Sequence, residues 1–270
     1  MTIFQAFILG IIQGATEFLP ISSSGHLVLF PHVMGWEIPT EQAFVFDVLV
    51  QLGTLLAVIV YFWTDLWNIV RVTFSGLRQP NLYSRPDVRL GVNLMVATLP
   101  AVGFGIFFKE TIEAAFSNPT VTTLFLLLTA LLLFIAEWVG KRNVFLEDVQ
   151  WYDALRIGVF QALALFPGVS RSGASITGGM IGNMKRPDAA RFSFLMAVPV
   201  MIGAGVLAAF DLVEISNLAS FVMPMLVGFA TSAVVGFLAI RWLLNYLTKN
   251  SLNVFSIYLV VISTLALILG

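Results

Sequence analysis

Six long apolar runs constrain this chain more than any other feature: Ala43 to Phe62, Leu90 to Phe108, Thr120 to Trp138, Phe192 to Phe210, Leu218 to Ile240 and Ser251 to Leu269. Each holds about 20 residues, enough at about 1.5 Å per residue to cross a ~30 Å hydrocarbon core. Every backbone N–H and C=O inside hydrocarbon has to be paired within its own segment, so the runs read as helices. No alternating ten-residue pattern supports a barrel. The composition agrees, with 59% hydrophobic and 11% charged residues where soluble domains carry roughly a quarter charged. The fold class expected is therefore an all-α polytopic membrane protein. The absence of Cys excludes disulfides, thiolate metal sites and a cysteine nucleophile, and two His are too few for an ordinary zinc centre. The N-terminus lacks a basic n-region and reads as part of the mature protein.

Two further regions, 3–34 and 154–183, are apolar overall but broken in the middle by Pro, Ser and Gly: Pro20-Ile21-Ser22-Ser23-Ser24-Gly25 and Pro167-Gly168-Val169-Ser170-Arg171-Ser172-Gly173. Thirty residues with a break are too few for two full spans. They fit two half-helices that dip into the membrane and return, with the irregular backbone lining a polar cavity.

The basic residues bear on this reading. With both broken regions re-entrant, the connections after spans one, three and five share a side. That side holds twelve of the fourteen Lys and Arg residues; Lys109 falls opposite and Arg171 lies in the second hairpin. The positive-inside rule makes the rich side cytoplasmic, so both termini are expected outside. The stretch from Arg71 to Arg89 reads as a cytoplasmic loop with an interfacial helix, and the Gly35 to Gln42 and Asp211 to Asn217 connections carry no basic residue.

The hairpins also match each other. One constant separation pairs Gly10 with Gly158, Gln13 with Gln161, Phe18 with Phe166, Ser22 with Ser170, Ser24 with Ser172 and Gly25 with Gly173. A shared separation with opposite orientation indicates an inverted repeat. Residues 1–270 are expected to form one membrane domain, with repeats over about 1–140 and 150–270, the hairpin tips meeting near the midplane.

Ionisable residues within the membrane mark function by default. Glu17 and Gln13 lie four apart on one helix face, and such a pair can hold a divalent cation if substrate phosphates complete its shell. Ser23 and His26 are three apart beside a turn, which suits an imidazole activating a hydroxyl or a water. Arg171, flanked by Ser170 and Ser172 where a half-helix opens, has the fork, hydroxyls and free N–H groups of a phosphoryl site. Asp47, Gln51, Glu137 and Gln161 could line the cavity, but helix packing and interfacial solvation explain them about as well, and His32 reads as interfacial. Without a P-loop, HExxH or GxGxxG sequence, a nucleotide-driven pump has no support.

Gln13-x-x-x-Glu17, the run Phe18 to His26 and the run Pro167 to Ser172 resemble the bacterial undecaprenyl-diphosphatase family, also called the bacitracin-resistance family. The likeness extends through Gln51-Leu52-Gly53-Thr54 and Phe192-Ser193-Phe194-Leu195. Ser175 stands where the family pattern Pro-Gly-x-Ser-Arg-Ser-x-x-Thr ends in Thr, and keeps the hydroxyl. The resemblance implies hydrolysis of undecaprenyl diphosphate, recycling the lipid carrier of cell-wall synthesis, by a cytoplasmic (inner) membrane enzyme needing a divalent cation, Mg²⁺ or Ca²⁺. Bacitracin would be resisted indirectly, through competition for the substrate, and no nucleic acid is involved; a homodimer is compatible with it. The cavity would open to the outer face, where released carrier diphosphate appears.

On that reading Ser22, Ser170, Ser172 and Ser175 bind the substrate, Gln13 and Glu17 hold the cation, and Glu17, Ser23, His26 and Arg171 are catalytic. Two routes are open: attack by Ser23 with His26 accepting the proton, or direct attack by water guided by His26 or Glu17. The rival from another class is a secondary transporter or flippase of an anionic lipid, since inverted repeats with broken helices serve transport as well. The Ser23 and His26 pair, which binding alone does not require, favours an enzyme.

Overall fold

The computed structural model describes residues 1–76, 85–116, 118–212 and 221–269. Arg78, Pro80 and Ser84 of the expected cytoplasmic loop and residues 213–217 of the expected 211–217 connection lie outside them. The described residues form helices α1 (Ile3–Phe18), α2 (Ser23–Val33), α3 (Thr40–Tyr61), α4 (Trp63–Gly76), α5 (Pro86–Phe107) and α6 (Lys109–Phe116). The second half continues with α7 (Pro119–Val139), α8 (Trp151–Leu163), α9 (Arg171–Ile181), α10 (Arg186–Leu212), α11 (Val222–Leu247) and α12 (Asn253–Leu269).

Five of these, α3, α5, α7, α10 and α11, are long and apolar enough to cross a membrane. The chain is thus an all-helical polytopic membrane protein. The run expected over Ser251 to Leu269 forms α12, only 17 residues long. Two boundaries differ most from the sequence reading. Helix α10 begins at Arg186 and α11 runs on to Leu247, so Arg186, Arg191 and Arg241 sit within helices rather than in connections. Hydrogen-bond propagation carries a helix past its apolar stretch, here into the first turns of α10, where Arg186 bonds Glu137 and Arg191 bonds Asp65, and into the last turns of α11.

The broken regions become helix pairs, α1 with α2 and α8 with α9. Helix α1 packs on α11, and α8 packs on α5. Glycine sets both crossings: a Cβ on Gly10 would stand 2.8 Å from the Gly228 carbonyl oxygen, and one on Gly158 would stand 2.3 Å from that of Ala97. The aligned glycines therefore each admit the backbone of the opposite half, the small-residue packing that membrane helices use where the hydrophobic effect between them is weak. Between the pairs lies an apolar core in which Phe18 meets Phe194 edge-on at 5.3 Å between ring centroids.

One end of the bundle is tied by Glu137. Its carboxylate accepts from Arg186 Nε at 2.7 Å, from an Arg142 guanidinium nitrogen at 2.8 Å and from the Leu252 N–H at 2.8 Å, joining α7, α10 and the entry to α12. Of the readings open for Glu137, the packing one describes it: the carboxylate is a structural tie between helices.

Candidate active site

The two hairpin tips are built alike. Ser22 caps α2 by accepting the Gly25 N–H at 3.4 Å, and Ser170 caps α9 by accepting the Gly173 N–H at 3.0 Å. Each cap hydroxyl also pairs with the serine two residues on, Ser22 with Ser24 at 3.2 Å and Ser170 with Ser172 at 3.1 Å. These caps satisfy N–H groups that the first turn leaves unpaired. Gly168 has φ +93°, a conformation glycine favours, and a Cβ there would lie 2.1 Å from the Thr122 carbonyl oxygen. Thr129 braces the second tip by accepting the Ser170 N–H at 3.0 Å.

The tips touch. Ser172 Oγ donates to the Leu19 carbonyl at 3.1 Å, and the Gly168 N–H reaches Ser24 Oγ at 3.5 Å. Arg171 Nη2 pairs with Glu17 Oε1, while Arg171 Nη1 is buried with no hydrogen-bond partner among the described residues. The other oxygen of Glu17 accepts from Ser23 Oγ at 2.6 Å and from Gln13 Nε2 at 3.0 Å.

These groups surround a cavity of about 280 Å³ whose wall includes Glu17, Ser23, Ser170, Arg171, Asp47 and Gln51. Both helix N-termini meet it, adding partial positive charge to the guanidinium. The cavity can thus receive a phosphoryl anion beside a hydroxyl already bonded to a carboxylate.

Gln13, Glu17, Ser22, Ser23, Ser170 and Arg171 all border this cavity. Three other expected site residues do not. Ser172 is spent on the tie to Leu19, and Ser175 Oγ bonds the Arg171 carbonyl at 2.7 Å and Ser193 Oγ at 2.6 Å behind the tip. His26 faces away: Nδ1 lies 2.7 Å from the Ser22 carbonyl and Nε2 lies 2.7 Å from the Tyr258 hydroxyl. The expected Ser23 to His26 contact is therefore replaced by Ser23 to Glu17. Three residues along a helix advance it by most of a turn, which sends His26 toward α12 and a separate, largely apolar groove that also holds His32.

Of the two readings open for Asp47 and Gln51, packing and cavity lining, the structure shows that both residues line the cavity. Their spacing of four repeats that of Gln13 and Glu17, a signal obscured by the apolar run around them. Tyr258 gave no signal at all.

A sequence profile for the bacitracin resistance protein BacA matches residues 6–265. This chain belongs to the BacA family. Family relatives described as undecaprenyl-diphosphatase include one from Moorella thermoacetica, 44% identical over 98% of this chain and 97% of its own. Another, from Chloroherpeton thalassium, is 40% identical over 99% of this chain and 96% of its own. A third, from Caldicellulosiruptor bescii, is 41% identical over 96% and 94%.

Proposed function

We propose that this protein hydrolyses undecaprenyl diphosphate to undecaprenyl phosphate and phosphate. One observation carries the reading: the Ser23 hydroxyl donates to Glu17, and Arg171, paired with the same carboxylate, borders the same cavity. A nucleophile, its base and an anion holder are the parts that phosphoryl transfer needs, since its catalysis is mainly positioning and electrostatics.

In the mechanism, Arg171 and the N-termini of α2 and α9 hold the terminal phosphoryl oxygens. Ser23 Oγ bonds to the terminal phosphorus as its proton passes to Glu17 Oε2. The bond from that phosphorus to the bridging oxygen breaks, and undecaprenyl phosphate leaves with the bridging oxygen. The departing undecaprenyl phosphate takes that proton from Glu17, which is then free to deprotonate water. The hydroxide adds to phosphorus, the bond from Ser23 Oγ to phosphorus breaks, phosphate leaves, and Glu17 returns the proton to Ser23 Oγ.

A divalent cation fits the donor set on offer. Glu17 and Asp47 supply carboxylate oxygens, and Gln13, which donates through Nε2, keeps its amide oxygen as an acceptor; hard oxygen donors of this kind suit Mg²⁺ or Ca²⁺. Among the described residues no three His, Cys, Asp or Glu side chains gather, so substrate oxygens would complete the shell. Bound there, the cation would neutralise phosphate charge.

The membrane arrangement is proposed as six spans and two re-entrant hairpins in an inverted repeat, both termini outside and the cavity opening to the outer face of the cytoplasmic membrane. The paired caps, the reciprocal glycine crossings and the sidedness of Lys and Arg support it. Resistance to bacitracin would follow from competition for the lipid diphosphate.

Phosphate release from undecaprenyl diphosphate by the purified chain in detergent, with Mg²⁺, Ca²⁺ or a chelator, tests the activity beside Glu17→Ala and Arg171→Ala. Cation-dependent release lost in both variants is expected. Folded wild-type protein that binds the lipid diphosphate but releases nothing would favour a transporter. Labelling of single cysteines placed at the tips tests the sidedness.

A further inference from the structure

The first hairpin departs from the second at its cap, and the departure explains His26. In the second hairpin the cap residue Ser170 has φ −69°, and its carbonyl accepts the Ala174 N–H at 2.8 Å. In the first, Ser22 has φ +68°, a left-handed value that costs a non-glycine residue about 1 kcal/mol or more, and its carbonyl receives the His26 N–H only at 3.4 Å. His26 stands where the second hairpin has Ala174. Its ring supplies what the stretched backbone bond does not, a contact of 2.7 Å from Nδ1 to the same carbonyl.

A carbonyl oxygen only accepts, so Nδ1 carries the hydrogen. In the neutral ring Nε2 is then the lone-pair nitrogen, and the Tyr258 hydroxyl at 2.7 Å donates to it. The two rings also lie nearly parallel, 7° apart with centroids at 5.7 Å. Tyr258 comes from α12, and both groups border the groove on the far side of α2 from the phosphoryl cavity.

We infer that Tyr258 and His26 are positioning residues, a clamp from α12 through the imidazole to the Ser22 carbonyl that holds the strained cap and so aims the next side chain, Ser23, at Glu17. Neither residue touches the reacting atoms. The inference rests on the phosphatase reading for its kinetic readout, though not for its structural one.

Asn carries an N–H near the place of Nδ1, so His26→Asn keeps the donor to Ser22 and loses the titrating ring. His26→Ala is expected to lower kcat by at least about tenfold, and His26→Asn to recover most of that loss. Tyr258→Phe keeps the stack and removes the hydroxyl; kcat should fall about fivefold with KM within about twofold. A folded His26→Asn protein as slow as His26→Ala, or Tyr258→Phe with wild-type kcat, would overturn the clamp. Thermal unfolding in detergent establishes folding of each variant. Should the variants not fold, ¹⁵N-histidine spectra of the wild-type chain decide, His32→Gln serving to assign the two rings. The Nδ1–H form of His26 is expected, and an Nε2–H form overturns the proposal. Wild-type protein that releases no phosphate would remove the phosphatase reading and leave the spectra to judge the clamp.

Discussion

Arg171 holds Glu17 across two hairpins with one guanidinium nitrogen and leaves the other without a partner among the described residues. The planar fork thus spends one nitrogen on an internal ion pair, while the residue as a whole borders the phosphoryl cavity. Lys in its place would keep a charge but not the fork. Arg171→Lys is therefore expected to lower phosphate release at least about tenfold, or about 1.4 kcal/mol. Near-normal turnover would reduce Arg171 to an internal ion-pair partner of Glu17.

Ser23 offers a sharper test of the chemistry. With its hydroxyl 2.6 Å from Glu17 Oε2, Ser23→Ala removes the nucleophile and leaves the guanidinium in place. Turnover should fall at least about a hundredfold while lipid-diphosphate binding persists, and quenching during turnover should trap phosphate on Ser23. A variant that kept most of its rate would establish direct attack by water.

Asp47 borders the same cavity from a different helix. If it shares a cation with Glu17, Asp47→Asn should raise the Mg²⁺ concentration for half-maximal activity at least about threefold, and should shrink the rise in melting temperature that Mg²⁺ gives the wild-type chain. An unchanged cation response in both measurements assigns Asp47 another role.

How much of the site could be read from sequence follows from how local each signal is. Gln13, Glu17, Ser23 and Arg171 stood out because polar residues beside a break in an apolar run have few structural explanations, and the paired caps of Ser22 and Ser170 were visible as a repeated spacing. For Asp47 and Gln51 the sequence leaves cavity lining and packing equally open, because their convergence on the cavity depends on how α3 packs, which no local pattern encodes. The partner of His26 is Tyr258 on the last helix, so sequence proximity favoured Ser23, whereas the direction of side chains around α2 separates the two. The long helices were legible from hydropathy, but their ends were not, since α10 and α11 extend into basic turns.

The glycine crossings give a stability prediction. Gly158→Ala would press a methyl group to 2.3 Å from a backbone carbonyl oxygen, whereas a Cβ on Gly103 meets nothing within 4 Å. Gly158→Ala should lose about 1–3 kcal/mol in detergent unfolding, and Gly103→Ala should lose none. Equal melting temperatures would show that the crossing can open without cost.

Glu137 makes a separate prediction at the other end of the bundle. Glu137→Gln leaves Arg142 and Arg186 facing a neutral amide and should destabilise by about 1–3 kcal/mol, less than a fully buried pair because both guanidinium groups keep some contact with solvent. Detergent unfolding monitored by circular dichroism would measure it, and a variant as stable as wild type would show that the tie contributes little.

The reciprocal crossing of α1 on α11 and α8 on α5 also dictates an order of events during biosynthesis. The first hairpin leaves the ribosome long before α11, the surface that receives Gly10, has been made. Until then its polar tip has no permanent neighbour, and the chain must carry an unfinished half through most of its translation. Nascent chains halted before Val222 should accordingly be degraded faster than full-length ones, and chemical competence should arrive only near the close of synthesis, when the late helices lock the early ones in place.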